Sequence, residues 1–496
     1  MTAPAFVTLR NLSDIRVYFA HRKRPVYFIG ATNFNLMGLH EWVGDWHDIN
    51  LIDCFDGGHP NVQVVNSHPS QTFNSAEAIN HYLLLQPEVI SRVKSRASDN
   101  GQAIFLFFDE TLETRCTELG LQLMRPPYHL VRDLDSKITT TRIGNEVGVD
   151  SVPNVMAEVR SYAELQSIAT AAGLGERWVV QCAYGDSGKT TFFIASPADY
   201  DAVADQIEIG EPVKVMRWLR CVGTAIEACA TRWGTFVGPL MTELIGVPAL
   251  TPYAGGWCGN ELYEGAFTPQ QREEALQKTE ALGNALYARG YRGYFEVDFL
   301  VDLDTGKLYL GELNPRISGI SAMTNLSDFS QSHVPLFLFH LLEYDDAVNL
   351  DMDVRSFNLS VLQGGASGVA SQMVLKYTAD DLQVLTHAPA SGVYTLDAEG
   401  HLTLKKVSFS RRDALGQSEV FVLRIMRSDE WIYPGADLAI VFLNQEIRQH
   451  DGKLTPFGQQ WAGAMRAAFL SRPLTAEERT LVQQVHAPAG VKSAGA

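Results

Sequence analysis

Tyr291–Met323, YRGYFEVDFLVDLDTGKLYLGELNPRISGISAM, constrains the fold more tightly than any other stretch of this 496-residue chain. Two runs with alternating apolar residues, Tyr294–Val301 and Lys307–Leu313, flank Asp302-Leu303-Asp304-Thr305-Gly306. A period of two in both arms and a glycine-containing connection predict a β-hairpin. On the first arm Phe295, Val297 and Phe299 share one face, leaving Glu296 and Asp298 on the other. At the end of the second arm Glu312 and Asn314 are two apart and so lie on one face. Asp298, Glu312 and Asn314 can then converge as hard oxygen ligands, the kind that suits Mg²⁺ bridged to substrate phosphates. Arg316, just after Pro315, adds a planar donor fork suited to phosphate or carboxylate. The plainer alternative is an edge hairpin whose acids are simply solvated.

D-x-F followed on the next strand by E-x-N-P-R resembles the metal-binding end of the ATP-grasp fold. The resemblance implies that Asp298, Glu312 and Asn314 ligate Mg²⁺, with Mn²⁺ as an alternative. It also implies that Arg316 contacts a phosphate or acyl phosphate and is catalytic.

Length and composition agree with an ordinary soluble globular protein. The chain is long enough for two to four structural domains, and 46% hydrophobic and 20% charged residues are ordinary for a globular protein. A net charge of −17 argues against non-specific binding to nucleic acid or to anionic membranes. No apolar run reaches the roughly 18 residues of a membrane span, and the first residues lack the apolar core of a signal peptide. The six cysteines are scattered without a C-x-x-C pair, which predicts reduced thiols and a cytoplasmic setting.

The expected fold class is α/β (α+β). Residues 1–131 alternate strands (Val26–Ile29, Gln63–Val65, Ala103–Phe108) with helical patterns, as in a parallel α/β domain. Gly30-Ala31-Thr32-Asn33 lacks the glycine spacing of a dinucleotide-binding turn. The segment resembles the domain that precedes many ATP-grasp modules, where substrate often meets the strand ends. Residues 132–376 are expected to form the two-lobed module with antiparallel sheets, its nucleotide lobe near 150–222. Residues 377–496 are expected to form a small C-terminal α/β cap with a frayed tail. Asp135-Ser136-Lys137 leads a helix, and Lys137 matches the family's first nucleotide-contacting lysine, the alternative being a surface lysine in a first helical turn. Thr268-Pro269 with Gln271 has the pattern of a capping box opening a long helix that delivers the chain into the hairpin.

Trp178–Ala195, WVVQCAYGDSGKTTFFIA, places a glycine-rich turn where backbone N–H groups can meet phosphate oxygens. It comes within one residue of a P-loop, with Ala183 standing where glycine is needed. A P-loop opens a helix, whereas Thr190–Ile194 is β-branched and aromatic and predicts a strand. By resemblance, Gly185, Ser187, Gly188 and Lys189 would hold the phosphates. The family's usual lysine on the preceding strand is here Gln181, which supplies no charge; Lys189, a second catalytic candidate, stands close by in the loop. Val213–Leu219 would read the adenine edge, with Met216 and Trp218 around it, Arg217 and Arg220 as nearby charges and Glu227 reaching the ribose. The glycine- and aromatic-rich Thr251–Glu261 is expected to be a loop that closes over substrate.

Together the resemblance implies ATP- and Mg²⁺-dependent ligation of a carboxylate to an amine or peptide through an acyl phosphate. Its nearest likeness is to biotin-carboxylase-like proteins and peptide ligases of natural-product pathways. The partners would be a small carboxylate and an amine. A biotin-carboxylase-type carboxylation and a nucleotide-binding module without turnover remain alternatives, and the oligomeric state stays open, a homodimer included.

Overall fold

A computed structural model describes residues 7–66, 73–185, 190–207, 209–414, 416–449 and 452–480. Near the N-terminus five parallel strands form one sheet in the order Val62–Val64, Trp46–Asn50, Val26–Gly30, Gln102–Phe105, Gln122–Leu123. The strand Val26–Gly30 is buried throughout, as the centre of a parallel sheet covered by helices requires. The carboxyl ends of these strands, at Gly30–Asn35 and Leu106–Phe107, open onto the cavity described below.

Four antiparallel strands form a second sheet in the order Asn154–Ala157, Val213–Arg217, Trp178–Gln181, Thr191–Ile194. Thr191–Ile194 is a strand, so the glycine turn joins two strands and opens no helix. An antiparallel sheet of ten strands runs through the rest of the molecule, with the hairpin Gly293–Asp302 and Leu308–Asn314 at one edge. The helix Pro269–Ala288 carries the complete capping box between Thr268 and Gln271 and buries Ala275, Thr279, Leu282 and Leu286.

Two expectations change. Asp437–Leu443, Glu419–Arg424, Gly392–Leu396 and Leu402–Val407 continue the ten-stranded sheet, the first pairing directly with Ala370–Lys376. The chain after residue 376 therefore shares a sheet with the module before it. Within Thr251–Glu261, Trp257 to Glu261 belong to the strand Trp257–Leu262, pairing with Gly234–Ile245 and Ala370–Lys376, so only the first half is loop. The six cysteines are free thiols. Among the described residues no helix is long and apolar enough to cross a membrane.

Candidate active site

The hairpin builds the acidic floor of a cavity of about 710 Å³. Asp298 stands opposite Glu312 and Glu296 opposite Asn314, with a bulge after Asp298 that leaves Gly311 as the extra residue. Cross-strand partners share a face, so four oxygen-bearing side chains meet on the cavity side. Glu243, on Gly234–Ile245, also lines it. Asn314 Nδ2 donates to Asp298 Oδ2 at 3.4 Å, while among the described residues Asp298 Oδ1 is buried without a hydrogen-bond donor.

Burial, then the neighbouring charges of Glu296, Glu243 and Glu312, pushes the Asp298 carboxyl well above its ordinary range. Burial also raises Glu296, and burial with repulsion from Glu296 and Glu312 lifts Glu243 to about 8. Carboxylates crowded in this way repel one another until a cation joins them. The orphaned Asp298 oxygen and the all-oxygen donor set therefore fit a hard divalent ion.

Lys137 is a buried residue rather than a surface one. Ser136 caps the helix Lys137–Glu146, which sets Lys137 at its first position, 3% exposed. Its backbone N–H donates to Ala183 O at 2.9 Å. Its Nζ donates to Gly185 O at 2.9 Å and to Glu312 Oε1 at 2.9 Å, tying the glycine turn to the acidic floor. Gly185 has φ +150°, and a Cβ there would lie 1.9 Å from Thr190 Oγ1, so the turn requires glycine. Ser187, Gly188 and Lys189 lie outside the described residues.

Gln181 lines the cavity, donates from Nε2 to Thr191 Oγ1 at 3.1 Å and, among the described residues, leaves Oε1 buried without a partner. Directly across the ladder from it stands Lys214, which was overlooked in the sequence. Lys214 is fully buried, and among the described residues its Nζ has one hydrogen bond, to Ser151 Oγ at 3.2 Å. Burial lowers its ammonium to about 7, Glu312 opposing the shift and Lys137 adding to it. The signal was present: in Val213-Lys214-Val215-Met216-Arg217 a period of two puts Lys214 and Met216 on one face. Met216 lines the cavity as expected.

Arg217 and Trp218, expected around the nucleotide, and Arg220, expected as a nearby charge, are not among the residues that line this cavity. Arg217 falls on the opposite face of its strand and is exposed, donating to Gly173 O at 3.0 Å. Trp218 is covered by the Arg177 guanidinium, 4.0 Å from its ring centre. Arg220 is exposed, 3.3 Å from Asp304. Arg125, also missed, staples the parallel sheet to the site by donating to Phe105 O, Leu106 O and Pro315 O at 2.8–2.9 Å. That bond holds the backbone just before Arg316, whose guanidinium lies over the Phe107 ring at 4.8 Å.

Glu227 does not reach the cavity. It is fully buried under the helix Ser321–Leu326, accepting from Ser321 Oγ at 2.6 Å, Thr324 Oγ1 at 3.0 Å and the Tyr294 hydroxyl. Burial outweighs these bonds and raises its carboxyl from 4.5 to about 8. A raised folded-state value means that folding takes up a proton. Its stabilisation is complete below the unfolded value and is lost as pH rises through about 8. Glu227→Gln, neutral at every pH, is expected to flatten the fall in Tm between about pH 5 and pH 9. Scanning calorimetry checks this, and an unchanged pH slope would contradict it.

No family model matches the chain. The arginine-specific carbamoyl phosphate synthase large chain of Geobacillus stearothermophilus is 23% identical over 305 residues, covering 60% of this chain. The match spans only 27% of that relative, about a quarter of its length. Among solved structures, the biotin carboxylase domain of Hydrogenobacter thermophilus 2-oxoglutarate carboxylase, with MgADP, ADP and bicarbonate, superposes with TM-score 0.55 at 11% identity over 94% of each chain. An N5-carboxyaminoimidazole ribonucleotide synthetase in complex with ADP gives TM-score 0.53 at 12% identity, over 90% of this chain and 97% of that one. The chain has the ATP-grasp fold.

Proposed function

We propose that this chain is an ATP-dependent ligase that joins a carboxylate to an amine through an acyl phosphate, releasing ADP and phosphate. The observation that carries the reading is the meeting of Asp298, Glu312, Asn314 and Arg316 at one cavity, with Lys137 joining Glu312 to a strand-flanked glycine turn. Lys137 and the turn would hold the nucleotide phosphates, and Met216 would flank the base. Asp298, Glu312 and Asn314 would hold Mg²⁺, which when bound neutralises charge on the β- and γ-phosphates. Arg316 would stabilise the transferring phosphoryl group, since such transfer depends on positioning and charge more than on covalent catalysis. The substrate carboxylate oxygen bonds to the γ-phosphorus as ADP departs. The amine then attacks the acyl carbon, loses a proton, and phosphate leaves with that oxygen.

No side-chain nucleophile is needed. Cys258, the thiol on the strand beside the cavity, is buried, donates to Leu244 O at 3.3 Å, and is pushed by burial to about 11. Amide or peptide formation is the finer reading, supported by the apolar side chains that line much of the cavity. Carboxylation with bicarbonate is the second reading, favoured by the bicarbonate bound to one structural neighbour.

Incubating the protein with Mg-ATP, amino acids and amines, or with bicarbonate and free biotin, should give ADP release that depends on an organic acid. Release dependent on bicarbonate instead would select the second reading. Nucleotide binding with no turnover across the panel would contradict both.

A further inference from the structure

The cavity has two unlike ends. One carries the carboxylates of the hairpin, with Lys137 bonded behind Glu312 and to Gly185 O. The other, beyond Arg316, is closed by strand ends and loops of the parallel sheet, with Phe28, Phe34, Ile52, Leu106 and Phe107 in its wall. Asn80 belongs to this end. It is 1% exposed, donates from Nδ2 to Phe107 O at 2.8 Å and lines the cavity, yet among the described residues its Oδ1 has no partner. A buried acceptor left unpaired is costly, so one in a cavity wall is placed for a donor that arrives with a ligand.

Resting on the ligase reading, we infer that this end binds an organic acid with an apolar body and an N–H or O–H donor beside its carboxylate. An α-amino acid with an aliphatic or aromatic side chain is the simplest such molecule. Its carboxylate meets Arg316, its donor meets Asn80 Oδ1, and its body lies among the five apolar side chains. The Arg316 guanidinium over the Phe107 ring places the charged and apolar halves of that site side by side.

Two other substrates fit poorly. Bicarbonate has no apolar surface and would leave those side chains facing water. Among the described lining residues an acidic side chain would find no second cation to receive it: Arg316 is occupied by the α-carboxylate, and Lys376 is paired with Asp437 at 2.6 Å.

The test uses the full chain with Mg²⁺ and a non-hydrolysable ATP analogue, and measures binding by calorimetry. The probes are L-leucine, L-phenylalanine, L-glutamate, and bicarbonate with free biotin. Saturable binding of leucine or phenylalanine is expected, with glutamate at least about tenfold weaker and bicarbonate with biotin silent. Asn80→Leu should weaken leucine or phenylalanine by about tenfold or more while leaving the nucleotide affinity unchanged. Ala76→Phe, in the first turn of the helix Ala76–Leu85, projects into the same end without removing a hydrogen bond and should abolish their binding. Glutamate or bicarbonate binding as tightly as leucine, or apolar acids indifferent to Ala76→Phe, would overturn the assignment. Apolar-acid binding without ADP release would uphold this site and remove the ligase reading. ADP release with a substrate indifferent to Ala76→Phe would uphold the ligase and remove this site.

Discussion

Glu312→Gln is expected to lower substrate-dependent ADP release by at least about a hundredfold while leaving the protein folded. Glu312 makes two contributions at once. It offers a metal oxygen beside Asp298, and it accepts from Lys137 Nζ at 2.9 Å. Glutamine keeps the shape and an acceptor for Lys137 but gives up the charge. On stability, two effects oppose each other: loss of the ion pair costs, whereas relief of repulsion with Glu243, Glu296 and Asp298 gains. Glu312→Ala strands a buried ammonium that keeps, among the described residues, Gly185 O as an acceptor. That variant should lose about 3 kcal/mol, the low end for a broken buried pair, because the Glu312 side chain is 28% exposed. ADP assays and denaturant titration on both variants separate the two effects. Full activity in Glu312→Gln would remove Glu312 from the metal set.

Lys214→Met carries the second large effect, a loss of nucleotide affinity of about tenfold or more. Lys214 stands across one ladder pair from Gln181, at the position where the family resemblance leads one to expect a charge. Among the described residues its buried Nζ has a single hydrogen bond, near Glu312 and Lys137. An ammonium so poorly satisfied and so costly to bury is placed for an anion. A lysine that served only to balance the carboxylates would also destabilise the fold when removed, so stability alone decides nothing. The exchange Gln181→Lys with Lys214→Gln does decide it. Moving the charge across the ladder should restore most of the nucleotide affinity lost in Lys214→Gln. Failure to restore it, with the double variant folded, would make Lys214 a structural counter-charge.

What was legible in the sequence was local. The hairpin announces itself because period-two alternation and E-x-N-P-R act within a few residues, and the capping box of Thr268 and Gln271 is equally short-range. Lys137 was found by position, though its burial depends on Gly185 and Glu312, distant in sequence. Lys214 was missed because its meaning lies in the register between two strands more than thirty residues apart. Arg217 was favoured over it although strand alternation turns Arg217 outward. Glu227 looked like a ribose ligand until the helix Ser321–Leu326 closed over it, a tertiary event that no pattern within the strand Cys221–Thr231 records. The same holds for Asn80 and Arg125, which act on main-chain oxygens of distant strand ends. The continuation of the ten-stranded sheet past residue 376 likewise rests on long-range pairing of Ala370–Lys376 with Asp437–Leu443.

The central claim is carboxylate activation by phosphoryl transfer, and oxygen labelling tests it most directly. A substrate acid carrying ¹⁸O in its carboxylate is incubated with Mg-ATP, the amine and the full chain, and the released phosphate is analysed by mass spectrometry. One labelled oxygen per turnover in inorganic phosphate, with ADP as the other nucleotide product, is the predicted result. Unlabelled phosphate, or AMP and pyrophosphate in place of ADP, would contradict it.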